Sequence, residues 1–233
     1  RAATFADSNE IVVGQDAIAI GNPEAGGIAV SQGIVSVDSE YIQMTGADNV
    51  TEVEFRVIRT DAVVNEGNSG GGLFNSDGEL IGIVNAKVIA DGVEGIGYAL
   101  PSTLVKYVVE NILDNCDGQT NTKVIKGLIG IQVYVSASKA EYDAAAGAVR
   151  ITETVKVDSV TSGSIGEGNV REGDIIVSLT VDGEETKVTR MYMVVDLMLT
   201  VRSGDTVTLT VLRDGEYQDL TFVFTDQYMT PIA

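Results

Sequence analysis

Residues 67–84 read GNSGGGLFNSDGELIGIV and carry the strongest structural signal in the chain. Two apolar runs flank residues 75–79, and Asp77-Gly78 between them supplies the positive φ that a tight primed turn requires, so we predict a β-hairpin. The same stretch begins with Ser69 among glycines, an arrangement that can present a nucleophilic hydroxyl. The chain contains no histidine. The sequence therefore offers a nucleophile without the base that usually accompanies it.

Ser69 taken by itself has two interpretations. Gly67, Gly70, Gly71 and Gly72 leave the backbone free to fold tightly and allow a substrate carbonyl to come close. Amide N–H groups on such a turn can converge on one point, as an oxyanion hole requires. The alternative is an ordinary glycine-rich turn with an exposed serine. For a bare Gly-x-Ser-x-Gly pattern the ordinary turn is favoured, because short motifs have many false positives.

The surrounding segments predict a β-rich first half. Residues 11–13, 17–20 and 33–37 are β-rich and are separated by turn residues, which predicts a sandwich or barrel. Pro101-Ser102 then marks the start of a helix. Its apolar stripe at helical spacing consists of Leu104, Val105, Val108, Val109, Ile112 and Leu113. A polar segment at residues 117–122 predicts a linker.

The second half predicts a separate small α+β module. Strands are expected at residues 128–135, 149–160, 172–179, 207–212 and 220–224, with Asp182-Gly183 and Asp214-Gly215 in turns. Residues 138–146 are rich in alanine and predict a helix. A second helix with an apolar face is predicted at residues 189–201, since Met191, Val194, Val195, Met198 and Leu199 share one side.

Composition narrows the classes of function. The chain carries 34 Asp plus Glu against 15 Lys plus Arg, a formal charge of -19. Because this negative charge repels phosphate groups, it argues against nucleic acid as a partner. Cys116 is the sole cysteine, so no disulfide forms within the chain, and no metal or cofactor is indicated. No apolar run is long enough to span a bilayer. Because Arg1 rather than Met opens the chain, we expect that a preceding segment with any targeting signal has been removed.

The neighbours of Ser69 resemble the HtrA/DegP family of trypsin-like serine proteases. The matching segments are residues 61–71, 78–83 and 95–102, and upstream 19–23 and 31–36, in the family's order and spacing. The resemblance covers residues 5–115. It implies a mostly β fold, the second β-barrel of a chymotrypsin-like protease, with residues 38–53 as a regulatory loop.

The resemblance also assigns roles to residues. Ser69 would be the nucleophile, and the N–H groups of Gly67 and Ser69 would form the oxyanion hole. Residues 83–87 would pair with the substrate backbone, which includes Ile83, Val84, Asn85 and Ala86. Val64, Val88 and Ile96 would line the pocket for the residue before the cut. All three are apolar and of medium size, which favours small aliphatic side chains in the substrate.

The catalytic base and its acid are expected upstream of Arg1, on the first barrel of such a protease. Lys87 is the nearest lysine in the matching segment, but in the family that position faces the substrate strand, and the resemblance makes Asp61 a structural residue. Loss of the base costs about 10⁶-fold in a well-studied protease, so the chain alone is expected to be inactive. It is either part of an active protease or a degenerate relative, and the intact turn favours the first.

Residues 126–131 and 170–176 resemble the bacterial PDZ domain that follows the protease in this family, and residues 201–205 and 212–216 fit its later strands. The loop of Gly127, Leu128, Ile129, Gly130 and Ile131 would hold a terminal carboxylate, and the next strand would accept a peptide strand. The predicted helix at residues 189–201 would wall the groove. The alternative is an ordinary glycine turn with a core helix.

The combined prediction is a barrel with its closing helix at residues 1–116, a linker at 117–125 and a PDZ domain at 126–233. The function expected from the resemblance is an extracytoplasmic serine endopeptidase, membrane-anchored through a missing segment, acting on unfolded or mislocalised proteins. The expected partners are polypeptide substrates and protein C-termini. A family trimer is expected for the full-length protein, and a dimer or strand exchange for this chain, since a lone barrel exposes apolar surface. The alternative is a non-enzymatic PDZ-type peptide-binding protein.

Overall fold

The computed structural model describes residues 2–23, 26–45, 50, 52–65, 67–85, 95–116 and 123–232. The chain forms two compact units. The first consists of Arg1–Lys106 with Glu141–Arg150, and the second of Tyr107–Ala140 with Ile151–Ala233. Most of the described residues lie in strands, as predicted.

The first unit is a closed antiparallel barrel in the order β1-β2-β3-β6-β5-β4. Its strands are β1 (Asp16–Gly21), β2 (Ala29–Thr45), β3 (Glu52–Thr60), β4 (Gly72–Phe74), β5 (Leu80–Val84) and β6 (Gly97–Pro101). Alternate residues of these strands fill the interior, where Ala17, Val35, Ile58, Leu73 and Ala99 are almost completely buried. The predicted strand at residues 11–13 is wrong, because only Val13 makes a bridge, to Val149.

The β4–β5 hairpin is present, but its turn differs from the predicted one. Gly78 has φ +78°, while Asp77 does not have a positive φ. The Gly78 N–H donates to the Asn75 carbonyl (3.1 Å), and the Asn75 N–H donates to the Glu79 carbonyl (3.0 Å). The loop therefore has three residues and ends with a glycine in the left-handed region, the second common way of closing a hairpin.

The predicted first helix is α1 (Ser102–Asp114). Its first turn is held within the first unit, where the Ser102 hydroxyl donates to the Ala6 carbonyl (2.9 Å). Its last turns belong to the second unit, where the Asn111 Nδ2 donates to the carbonyls of Ile125 (2.6 Å) and Leu199 (2.7 Å). The compact units thus divide inside the helix, whereas the sequence placed the whole helix with the barrel.

The second unit contains a five-strand path in the order β13-β12-β10-β9-β8, with β11 paired to β10, and a separate pair of β14 and β7. The strands are β7 (Val124–Gly127), β8 (Ile131–Asp143), β9 (Ala148–Val160), β10 (Ile175–Val181), β11 (Glu184–Lys187), β12 (Thr206–Arg213), β13 (Glu216–Val223) and β14 (Met229–Ile232). The helix α2 (Met191–Leu197) is shorter than predicted. Buried side chains of the sheet and α2 form one core that includes Val157, Leu209 and Leu197.

Residues 138–146 are not helical, so that prediction is wrong. β8 continues through Asp143 and is followed by a turn at residues 144–147. Asp143 Oδ1 accepts the N–H groups of Ala145 (3.0 Å) and Ala146 (3.2 Å), which closes the turn locally, and Gly147 takes φ +63°. Pairing of β8 with β9 therefore overrides the helical preference of the alanines.

The described residues contain no helix that is long and apolar enough to cross a membrane.

Candidate active site and peptide groove

Ser69 lies exposed on the turn between β3 and β4. Gly67 (φ +93°) and Gly70 (φ +83°) flank it in the left-handed region, which glycine adopts without strain. Inside the turn, the Asn68 N–H donates to the Asn65 carbonyl (3.0 Å) and the Gly71 N–H to the Asn68 carbonyl (2.9 Å). The chain reverses tightly and directs residue 69 outward.

Two reciprocal hydrogen bonds fix this turn to β5. The Gly70 N–H donates to the Val84 carbonyl (2.9 Å), and the Val84 N–H donates to the Gly71 carbonyl (2.8 Å). A second anchor is close backbone packing on the end of β1. A Cβ on Gly71 would overlap the Ile20 carbonyl oxygen, so only glycine fits there. The nucleophile predicted from the sequence thus sits on a turn that the barrel holds from two sides.

Asp61 lies on the loop that follows β3, and its carboxylate is used within the barrel. Its Oδ1 accepts the Ile34 N–H (2.6 Å) and lies against Gly33, where a Cβ would overlap it. This contact agrees with the structural role expected for Asp61. Lys87, considered as a substitute base, lies outside the described residues.

Two of the three predicted pocket residues are described. Val64 and Ile96 are each half-buried. A Cβ on Gly97 would come within 2.7 Å of Val64 Cγ2, so the Val64 side chain lies directly on β6. Val88 lies outside the described residues. Both described side chains are apolar.

The substrate-pairing role predicted for Ile83, Val84 and Asn85 needs correction. β5 pairs with β4 on one side and β6 on the other. Both polar backbone groups of Val84 bind the Ser69 turn, and the Asn85 N–H donates to the Tyr98 carbonyl (2.8 Å). The Val84 side chain is 2% exposed and lies in the core. A substrate strand would have to pair with residues after Asn85. Ala86, the fourth residue predicted for this role, lies outside the described residues.

The second unit has an apolar cavity of about 180 Å³ in front of the predicted peptide loop. All five predicted residues line it: Gly127, Leu128, Ile129, Gly130 and Ile131. The opposite wall is α2 with the residue after it, through Val194, Val195 and Met198. Val133 and Lys126 also line the cavity, although the sequence analysis assigned neither of them a role in the site. The signal for Val133 was its position two residues after Ile131 on the same strand face.

Two of the loop's backbone N–H groups are already used in hydrogen bonds. Its Leu128 N–H donates to the Tyr228 carbonyl (2.9 Å), and its Gly127 N–H donates to the Met198 carbonyl (3.1 Å). Among the described residues, the N–H groups of Ile129 and Gly130 have no acceptor. Gly130 takes φ +77°, and consecutive amides next to such a residue form a concave site for an anion.

Among the strands that the structure describes, β8 after the loop is paired on one side only. β8 is the last strand of its sheet path, so its outer edge carries backbone groups that an extended peptide could pair with. Ile131 and Val133 are half-buried and face the cavity, whereas Ile129 is 3% exposed and packs into the core. Ile129 therefore offers its backbone rather than its side chain.

A buried ion pair, missed in the sequence, holds the start of α2. Arg190 Nε lies 3.2 Å from Glu153 Oε1 on β9, and the Met191 N–H donates to Glu153 Oε2 (2.8 Å). Burial lowers the pKa of Arg190, which also lies over the Tyr192 ring at 5.5 Å. Glu153 thus fixes the wall of the groove from the neighbouring strand. Sequence spacing gave no signal, because the two residues are 37 positions apart.

Among the described residues, no group of three or more His, Cys, Asp or Glu side chains could hold a metal ion. Cys116 is exposed.

Comparisons with known proteins identify the kind of domain that each unit resembles. A family model described as a trypsin-like peptidase domain matches residues 1–83, and one described as a PDZ domain matches residues 127–222. The chain is 33% identical to the serine protease Do-like HtrB of Bacillus subtilis over 97% of its length and 49% of that protein. It is 34% identical to HtrA of the same organism, covering 93% of the chain and 47% of the relative.

A solved structure described as the HtrA-type protease AlgW with tripeptide is also similar. It matches with a TM-score of 0.55 and 29% identity, covering all of this chain and 70% of that one. The chain spans about half the length of the curated relatives it matches.

Proposed function

Because this chain is homologous to the HtrA/DegP serine proteases over most of its length, with a trypsin-like peptidase part and a PDZ domain, we propose that it belongs to a serine endopeptidase in which Ser69 is the nucleophile. The observation that carries the proposal is the Ser69 turn. Its flanking glycines adopt the left-handed backbone, and its hydrogen bonds to Val84 hold the hydroxyl outward.

In the proposed reaction, Ser69 Oγ attacks the peptide carbonyl carbon and the carbonyl oxygen becomes an oxyanion. The N–H groups of Gly67 and Ser69 stabilise that charge. A base takes the hydroxyl proton and passes it to the leaving amine, and water then hydrolyses the acyl-enzyme. Since these 233 residues include no histidine, we place the base and its acid outside them. Without that base, the rate of peptide hydrolysis by the chain alone is then lower by about 10⁶-fold.

The proposed cleavage preference follows from the pocket wall. Val64 and Ile96 supply an apolar surface without a carboxylate, and Val88 is the third residue proposed for it. An apolar pocket favours small aliphatic side chains before the cut over Arg or Lys, whose charge would be desolvated without a partner.

We place the partner polypeptide's C-terminus in the groove of the second unit. Its carboxylate would accept the N–H groups of Ile129 and Gly130, and Lys126 would add a positive charge beside it. The peptide would pair with the open edge of β8 and place its last side chain in the apolar cavity. Unfolded or mislocalised proteins would supply such ends.

The second candidate is a non-enzymatic peptide-binding protein. It is favoured by one observation: the groove has its amides, apolar wall and open strand within the described residues, whereas the catalytic base is absent from the sequence. In that case Ser69 would have no chemical role.

Two of the similar curated proteins are named as periplasmic: a probable protease of Haemophilus influenzae and DegP of Escherichia coli. We propose an extracytoplasmic location for this protein as well, with a membrane anchor outside these residues.

The test is hydrolysis of an unfolded protein by the full-length protein that contains these residues. The proposal predicts cuts after Val, Ala or Ile and complete loss of cutting in Ser69→Ala. Peptide binding without any cutting would support the second candidate instead. Cuts after Lys or Arg would contradict the proposed pocket while leaving the nucleophile in place.

A further inference from the structure

Asn111 of α1 is completely buried in the second unit, and its side-chain amide is fully hydrogen-bonded. Its Nδ2 donates to the carbonyls of Ile125 (2.6 Å) and Leu199 (2.7 Å). Its Oδ1 accepts the Ile125 N–H (2.8 Å) and an N–H of the Asn115 amide (3.1 Å). An asparagine side chain offers two donors and two main acceptor positions, so the whole amide is used.

The partners of Asn111 lie next to the two walls of the cavity. Ile125 on β7 lies two residues before Gly127, where the loop wall begins, and Leu199 directly follows Met198 of the opposite wall. The Gly127 N–H donates to the Met198 carbonyl (3.1 Å) across the same gap. One side chain of α1 therefore ties the loop side of the groove to the α2 side.

Arg202 holds the same carbonyl from a second direction. Its Nη1 donates to the Leu199 carbonyl (2.8 Å), while its Nε and Nη2 donate to Asp114 Oδ2 on α1, at 3.1 and 2.8 Å. The Leu199 carbonyl thus accepts one donor carried by α1 and one bound to it. The Asp114 side chain is 59% exposed, so this second link is the weaker one, because solvent screens the ion pair.

We propose that Asn111, assisted by Arg202, is a positioning residue of the groove: it fixes the spacing between the loop at residues 127–130 and the end of α2. That spacing sets the size of the peptide side chain that the cavity accepts. The inference rests on the peptide-binding role proposed for this groove. Because the amide bonds both segments, the bound peptide meets a cavity that is already formed. Loss of the amide lets the two segments move apart, so a small side chain loses contact with one of them.

The test measures how tightly the 233-residue chain binds two labelled peptides that differ only in their last residue, Val or Phe, by fluorescence anisotropy. Asn111→Ala should weaken binding of the Val peptide about tenfold, because the preformed contact with so small a side chain is lost. The Phe peptide should lose less than about threefold, since its ring fills the wider space. The ratio of the two affinities therefore shifts toward Phe, which a loss of stability alone would not cause.

Asn115→Ala and Asp174→Asn are the matched controls. Asn115→Ala removes one partner of Asn111 on the same helix but leaves the three bonds that tie the two walls. Asp174→Asn should lower the stability of the same unit, because it breaks the buried ion pair with Arg213, but Asp174 does not line the cavity. Neither substitution should change the affinities or their ratio in a chain that circular dichroism shows to be folded.

Arg202→Ala keeps the inference testable if Asn111→Ala does not fold, because the Arg202 side chain is 27% exposed. It should shift the ratio in the same direction by about threefold. An unchanged ratio in Asn111→Ala, or in Arg202→Ala where that variant alone folds, would overturn the inference, as would an equal shift in Asp174→Asn. If the unchanged chain binds neither peptide, the proposed groove fails and this inference fails with it. That outcome is distinguishable because it does not depend on residue 111.

Discussion

Asp174 and Arg213 form an ion pair inside the second unit, where their side chains are 1% and 11% exposed. Arg213 donates to both carboxylate oxygens, from Nε at 2.7 Å and from Nη2 at 2.6 Å. The Arg171 N–H adds a third bond to Asp174 Oδ2, at 2.8 Å. Burial acts to raise the pKa of Asp174, but these bonds outweigh it and hold that pKa below its ordinary value of 3.8.

The pair predicts both a stability loss and its pH dependence. Asp174→Asn should lower the free energy of unfolding by about 3–5 kcal/mol, because the Arg213 charge is left without its buried partner. Since the folded pKa is lowered, the carboxylate's contribution is complete above about pH 4 and disappears as pH falls through the folded pKa. Urea unfolding at pH 7 and pH 3 measures both effects.

The matched control for this prediction is Asp219→Asn, an exposed carboxylate on β13 that accepts the Thr210 hydroxyl. It should change stability by less than about 0.5 kcal/mol. A loss of similar size in both variants would contradict the special role of the buried pair.

The α2 helix and the β8 strand make the groove, so its test belongs to these elements. Val195 on α2 lines the cavity and is 46% exposed. Val195→Lys should weaken binding of a peptide with an apolar C-terminus at least tenfold, about 1.4 kcal/mol, by placing a charge at the apolar wall. Fluorescence anisotropy of a labelled peptide measures it.

Val223→Lys is the control, because Val223 is 58% exposed on β13 and does not line the cavity. It should leave peptide affinity unchanged. Equal weakening by both variants would mean that the peptide binds elsewhere or that charge alone is responsible.

Hairpins show how far local sequence determines the elements. Asp182-Gly183 and Asp214-Gly215 both take positive φ at each residue, as two-residue primed turns require, so dipeptide chemistry was sufficient there. Residues 138–146 were mispredicted because their local preference is helical, whereas in the folded chain β8 pairs with β9. The glycine loop at residues 127–130 and a helix around α2 were predictable from motif and periodicity, although α2 is shorter than expected, and a role in peptide binding stays a prediction.

Side-chain direction was less predictable than element type. The glycines around Ser69 indicated a turn. No local pattern indicated that the backbone N–H and carbonyl of Val84 would form hydrogen bonds with that turn. Likewise the Asn111–Leu199 hydrogen bond and the Glu153–Arg190 pair depend on contacts between segments far apart in the chain. Such contacts come from packing, which a pattern of residue types does not encode.

At the scale of the whole molecule, the first unit exposes an apolar surface on β1 and β2. Ile20 and Val30 are opposite each other in the strand register and are 37% and 64% exposed. Ile34 (40%) continues the same face of β2, and Ile28 (84%) lies just before that strand. Contiguous exposed apolar surface promotes association, so we propose that the 233-residue chain forms a dimer through it.

Val30→Asp should shift the chain toward monomer, because a carboxylate would be buried in the contact. Light scattering during size-exclusion chromatography at two protein concentrations measures the mass. The control is Val223→Asp, because Val223 on the second unit is exposed to a similar extent, 58%. This substitution should leave the mass unchanged. A monomer at both concentrations without any substitution would refute the dimer.

If Ser69 is a nucleophile whose base lies outside these 233 residues, its hydroxyl is activated only when that base is present. The measurement is fluorophosphonate labelling of the full-length protein, the 233-residue chain and full-length Ser69→Ala, with the labelled residue identified by mass spectrometry. We expect labelling at Ser69 in the full-length protein alone. A folded full-length protein that is not labelled, or is labelled at another residue, would contradict it.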